Sequence, residues 1–262
     1  VKNKNQFKDL ESSFDKALQS CNQWNSIQWL MKTFAESGDI KLWVVGGTIR
    51  DYILETANMI IDVDVILQGC PDFDVLEKVI SSGGTFSRNM MGGYKWYPSK
   101  EISKDDEEIE IDLWRMEEAI EPGDECTPEV AVMRFDLNIN SLAWSLDEKY
   151  FVNPLGALEI LLDESHKTPM ELLTEKIKPG NAGRLILRAV KYNAKLGIPL
   201  GELTKKWMLR NEKELDSLSN EKIKYVFRSI DTVSIKKEVE DCCTSILSKD
   251  YGDRIVKALF SE

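Results

Sequence analysis

The sequence predicts an α+β fold, in which a small mixed β-sheet with flanking helices forms a head that is followed by an all-helical region. Three observations lead there. Short apolar, β-branched runs punctuated by glycine are confined to roughly residues 38–164. From about Ser165 that patterning stops, and apolar residues then recur at helical spacing as far as Phe260. The charge changes along the same line: residues 1–183 carry 18 basic and 33 acidic side chains, whereas residues 184–228 carry 11 basic and 5 acidic. The expected division is an N-terminal helical segment over 1–37, a head over 38–164 and a helical domain over 165–262.

Phe7, Leu10, Phe14, Leu18, Cys21, Trp24, Ile27, Leu30, Met31 and Phe34 recur at steps of three and four, which predicts one amphipathic helix, or two with a break near Cys21–Gln23. Leu42-Trp43-Val44-Val45 is a short apolar run closed by Gly46-Gly47 and predicts a strand. Thr48–Thr56 predicts a helix, and Met59–Leu67, apolar except for its aspartates, a second strand. Phe73–Ile80 predicts a helix stopped by Ser81-Ser82-Gly83-Gly84. Over Thr85–Arg115 two strands are expected, Tyr94–Tyr97 and Glu108–Arg115, with the acidic cluster at 105–108 between them. Arg134–Trp144 predicts a helix, Tyr150–Val152 a strand, and Asn153–Gly156 a turn. Leu185, Leu187, Ala189, Val190, Ala194 and Leu196 open the helical region.

The chain has 262 residues and a formal net charge of −11, with 42% hydrophobic residues, enough for a substantial core. No run of about 18 uncharged apolar residues predicts a membrane span, and the polar N-terminal 25 residues lack the apolar centre of a secretion signal. Five cysteines without C-x-x-C spacing indicate neither a disulfide framework nor a zinc ribbon, so a reducing, cytoplasmic setting is expected. His166 is the single histidine, which argues against histidine-rich metal sites and leaves carboxylate chemistry open.

The chemistry-bearing pattern lies around Asp62-Val63-Asp64. Residues i and i+2 of a strand share a face, so two carboxylates project together from an otherwise apolar segment, and such a pair needs compensating charge. A divalent cation supplies it: magnesium prefers oxygen ligands and leaves positions for phosphate and water. Two solvated aspartates on an edge strand are the plainer reading of this pair alone. Asp112, between Ile111 and Leu113, is a candidate third carboxylate, with Glu110 on the same face as its rival. Gly46-Gly47 between strand and helix lets a ligand approach the backbone, and Arg50-Asp51 follows. Arg134, Asp136 and Asn140 could contact phosphate and ribose, or form a surface salt bridge and a cap.

These pieces, in this order, resemble the class II nucleotidyltransferases, the CCA-adding enzymes and bacterial poly(A) polymerases of the DNA polymerase β-like superfamily. Gly46–Asp51 is similar to the family's G-G-x-x-R-D, Asp62–Asp64 to its D-x-D, Arg134–Leu142 to R-R-D-F-T-x-N-A-L, Asn153–Gly156 to D-P-x-G, and Leu187–Gly197 to the L-R-A run of the helical neck. Phe135 stands where the family has a second arginine. Its base-reading E-D-x-x-R falls on Asn181, Ala182 and Leu185, with Arg184 one residue away.

The resemblance implies that Asp62, Asp64 and Asp112 bind two magnesium ions, or manganese. It further implies that Gly46, Gly47, Arg50 and Asp51 hold the triphosphate, that Arg134, Asp136 and Asn140 contact the nucleotide, and that Arg184 and Arg188 of the neck also bind it. The implied activity is metal-dependent transfer of a nucleoside monophosphate from an NTP, such as ATP, to a hydroxyl acceptor, with an RNA 3′ end of tRNA type meeting the basic segment 184–228. A toxin- or defence-type transferase acting on tRNA or protein, and a degraded nucleotide-binding module, are the alternatives. With 66 residues after Leu196, a head and neck without the family's body and tail are expected.

Overall fold

The computed structural model describes residues 7–54, 60, 62–70, 72–89, 92–105, 109–173, 180–228 and 230–260. They form two compact units. The first comprises Val1–Phe135 with Asn140–Leu161, the second Asp136–Ile139 with Leu162–Glu262.

The first unit begins with two helices, α1 (Lys8–Gln19) and α2 (Trp24–Ser37), separated where the sequence breaks. Their apolar stripes bury Phe14, Leu18, Ile27, Leu30 and Phe34 completely. Then follow β1 (Lys41–Val45), α3 (Gly47–Ile53), β2 (Val63–Gln68), α4 (Phe73–Gly83), β3 (Gly84–Arg88), β4 (Tyr94–Pro98), α5 (Lys100–Ser103), β5 (Ile111–Arg115), α6 (Met116–Ala119), α7 (Pro128–Val132), β6 (Ala143–Ser145), β7 (Phe151–Val152) and α8 (Ala157–Leu161). The strands make one sheet in the order β3-β4-β5-β2-β1-β6-β7. Only β2 and β5 run parallel; the other neighbours are antiparallel. The continuous apolar run of β1 suits a central strand, buried on both faces.

The sheet corrects several sequence expectations. The aspartate strand starts at Val63, so Asp62 lies just before it, and 55–59 and 61 lie outside the described residues. Of the helix expected over Thr48–Thr56, the structure has Gly47–Ile53. The Glu108–Arg115 strand begins at Ile111. A third strand, β3, precedes β4 and pairs with it throughout. Its glycine start hid it: a β-carbon on Gly84 would come 2.1 Å from the Tyr97 carbonyl, so glycine is what allows the closest end of the hairpin. The helix expected over Arg134–Trp144 does not form. Thr127 caps an earlier helix, α7, through the Val130 amide, and Pro128 occupies its first turn. Asn138–Asn140 is a single 3-10 turn, and Ala143–Ser145 pairs with β1 as β6. Tertiary pairing overrides a periodicity that, over eleven residues, fits either state.

The second unit holds α9 (Ala182–Leu196), α10 (Glu202–Asn211), a 3-10 segment (Glu212–Ser217), α11 (Asn220–Phe227), α12 (Lys236–Ile246) and α13 (Lys249–Phe260). α9 packs against α11, α12 and the 3-10 segment, burying Ile186, Leu187, Ala189, Val190 and Ala194. It ends at Gly197 in the left-handed conformation. Short bridges, Leu137 to Leu172 and Met170 to Leu200, close the start of this unit. Among the described residues no helix is long and apolar enough to cross a membrane.

Phe14 of α1 packs its ring 5.1 Å from Tyr52 of α3 and 5.3 Å and 5.4 Å from Trp144 and Phe151 of the sheet. Phe14→Ala empties that aromatic cluster and should cost about 3–5 kcal/mol, read as a fall in the urea midpoint of the whole chain. Phe14→Leu should cost less than half as much.

Candidate active site

The parallel pairing of β2 with β5 sets the site. Its register places Asp64 directly alongside Asp112, and the antiparallel pairing of β5 with β4 places Lys95 on the other side of Asp112. A carboxylate, a carboxylate and an ammonium thus run in a row across three strands. Asp62, one residue before β2, is exposed, while Asp64 is partly covered.

Burial is the first cause that raises the Asp64 carboxyl, to about 7, followed by the charges of Asp112 and Asp62; Arg50 and Lys95 pull it back. Burial also raises Asp112, against Lys95 and a hydrogen bond from the Asn89 amide, whose Nδ2 lies 3.4 Å from Asp112 Oδ1. Lys95 Nζ stands 3.9 Å from Asp112 and donates to Glu110, which also accepts from the Tyr97 hydroxyl at 2.9 Å. Glu110 and Asp112 are therefore distinguished by their surroundings. Glu110 is engaged by Lys95 and Tyr97 at the start of β5, and Asp112 faces the β2 aspartates. Sequence reasoning missed Lys95, Asn89 and Tyr97. The alternation of Lys95 and Tyr97 on one face of β4 was a signal, but only the register joins it to Asp112.

The glycine turn lies at the end of β1. Gly46 has φ +65° and caps α3. A β-carbon there would come 3.3 Å from the Phe135 ring, which covers the turn. Arg50 is 3% exposed. Its Nε donates to Asp51 Oδ1 at 2.9 Å and its Nη1 to Asn140 Oδ1 at 2.5 Å. The arginine of the first motif and the asparagine of the third are thus locked together beneath the site. Thr48 Oγ1 donates to the Asp62 carbonyl at 2.8 Å and accepts from the Asp64 amide at 3.4 Å.

Arg134, Asp136, Arg184 and Arg188 are the other sequence candidates. Arg134 pairs with Glu121 at 2.6 Å and with Asp124, holding down the loop that precedes α7. Asp136 belongs to the second unit, where it accepts from Arg188 Nε, and the Arg188 guanidinium lies 5.3 Å from the Tyr192 ring centre. Arg184 is exposed on the first turn of α9, while Asn181 precedes that helix and Ala182 and Leu185 lie in it.

The donor chemistry of Asp62, Asp64 and Asp112, oxygen only and with excess negative charge, fits a hard divalent cation. Among the described residues, however, no three carboxylate, thiol or imidazole groups are drawn together into a finished ligand set. Asp112 is shared with Lys95 and Asn89.

Solved structures resemble this fold. They include a CCA-adding enzyme in complex with ATP, with TM-score 0.61 and 16% identity, covering 87% of this chain and 52% of that one. A tRNA-processing enzyme with CTP gives 0.57 and 17%, covering 87% and 57%. The Thermotoga maritima CCA-adding enzyme complexed with tRNA-CCA gives 0.54 and 16%, covering 90% and 52%. The chain spans little more than half the length of these proteins, and the likeness is one of fold. No family model matches the sequence, nor does any curated protein.

A carboxyl raised above its unfolded value stabilises the fold fully below the unfolded pKa, and that contribution is lost as pH rises through the folded one. Without added metal, Asp64→Asn should therefore melt close to the wild type near pH 4. It should gain on it progressively up to about pH 7, where Asp64 titrates, and stay several degrees higher beyond. Thermal melts at stepped pH in EDTA check this.

Proposed function

We propose that the chain is a nucleotidyltransferase that moves a nucleoside monophosphate from an NTP to an RNA 3′ hydroxyl. The observation that supports this most is the register of Asp64 against Asp112, beside Asp62, in a sheet of the same fold as CCA-adding enzymes solved with ATP and with tRNA. The acceptor oxygen forms a bond to the α-phosphorus, the bond from that phosphorus to the bridging oxygen breaks, and pyrophosphate leaves while the hydroxyl proton passes to solvent. Magnesium ions held by Asp62, Asp64 and Asp112 would supply charge neutralisation and a more acidic acceptor hydroxyl.

The chain's own residues contribute position and field. Gly46 and Gly47 add no side chain to the turn, whose backbone would meet the triphosphate beside the Phe135 ring packed on Gly46. Arg50, locked to Asn140, sets positive charge beneath the aspartates without leaving the core. Asn89 and Lys95 orient Asp112. Exposed Lys206, Arg210, Lys213, Lys222, Lys224 and Arg228 of the basic segment offer a surface to a polyanion.

A second reading keeps this chemistry and changes the acceptor to an internal tRNA site or a protein. The apolar Ala182 and Leu185, where the resembling enzymes read the incoming base, favour it. Incubation with each labelled NTP, Mg²⁺ or Mn²⁺, total RNA and protein separates the two by what becomes labelled. No labelled product from any NTP, under conditions where a known transferase is active, overturns both.

Asp62→Ala and Asp64→Ala should each lower transfer by at least about a hundredfold with unchanged circular dichroism, and EDTA should do the same to the wild type. Loss of the folded signal on chelation would point to a structural metal instead. Base selection should not follow a strict CTP-then-ATP order, because an apolar wall discriminates base edges poorly. Ordered addition of C, C and A to tRNA lacking its end would place base reading on Arg184 or another polar group.

A further inference from the structure

β1 and β2 stay in register from Lys41–Gln68 to Val44–Val65. The β1–β2 pairing does not extend to Asp64 or Asp62, and β1 ends at Val45, before the Gly46 turn into α3. Backbone groups of both aspartates are bonded by one side chain. The Thr48 hydroxyl donates to the Asp62 carbonyl and accepts from the Asp64 amide, spanning the two aspartates around Val63. Thr48 is 7% exposed and sits in the first turn of α3, so its position is set by the glycine turn that opens that helix.

We infer that Thr48 is a positioning residue that clasps the two aspartates into one geometry and ties them to the glycine turn. The inference rests on the transferase reading and deepens it: the hydroxyl is engaged by the two backbone groups, and it acts by fixing the backbone from which both carboxylates hang. The chemistry calls for a hydroxyl. A valine of the same shape keeps the methyl packing and removes both bonds, leaving a carbonyl and an amide to find water or shift. A serine keeps both bonds and removes a methyl.

The test compares the full-length wild type, Thr48→Val and Thr48→Ser by hydrogen exchange at the Asp64 amide, read by NMR without metal, and by direct Mn²⁺ titration, read by electron paramagnetic resonance. Thr48→Val should speed exchange at Asp64 by about tenfold or more and weaken Mn²⁺ binding by a similar factor. Exchange at Trp43 and Val44 in β1 should stay as in the wild type, and Thr48→Ser should match the wild type in both readings. A purely packing role gives the opposite pattern, with Thr48→Val unchanged and Thr48→Ser less stable, and that result overturns the inference. Thr48→Ala provides a second hydroxyl-free variant if valine does not fold. Failure of the wild type to bind Mn²⁺ overturns the metal reading, and the Asp64 exchange rates then still accept or reject the clasp.

Discussion

Like charges on neighbouring strands organise the first unit. The β2–β5 pairing brings two aspartates side by side in a sheet whose other central positions are apolar, and burial makes each charge expensive to keep. The surrounding polar residues answer that cost. Lys95 flanks Asp112 on β4, Asn89 reaches it from the end of β3, and buried Arg50 lies near Asp64. These partners moderate the field without cancelling it, and the Asp64 carboxyl still remains raised. A strand that served only the fold would be more stable with an apolar residue at that position.

The motifs that looked like separate contacts in the sequence turn out to support one another. Arg50 and Asn140 are 90 residues apart and share one hydrogen bond. Phe135, where the resembling enzymes have an arginine, lies over the glycine turn. Two of the three residues therefore serve the scaffold of the site, and the third covers its turn. Arg134 is likewise committed to Glu121 and Asp124.

How much of this was legible in the sequence depended on the range over which each signal acts. The α1–α2 break, β1, β4 and the helices of the second unit follow from local periodicity. The aspartate pair follows from strand alternation. The misreadings share a cause, in that the deciding partner is distant. β3 exists because β4 pairs with it, and β6 exists because β1 offers an edge where a helical period also fits. Lys95 and Thr48 could not be assigned to the site from their own neighbours, because a register and a hydroxyl's direction, neither written in local sequence, bring them there. Resemblance supplied the order of the motifs, and the structure shows which of their side chains bond to one another.

The sheet order has a consequence for biosynthesis. β1 is central, yet one of its neighbours, β6, lies about 100 residues further along, with Val45 opposite Ala143. A nascent chain that has emerged as far as β5 can pair β1 with β2 and β2 with β5. The opposite edge of β1, carrying Trp43, Val44 and Val45, then stays open through the synthesis of α6 and α7. An apolar strand edge left unpaired for that interval is the part of the chain most able to join another copy. On the ribosome, that edge of β1 closes once β6 arrives.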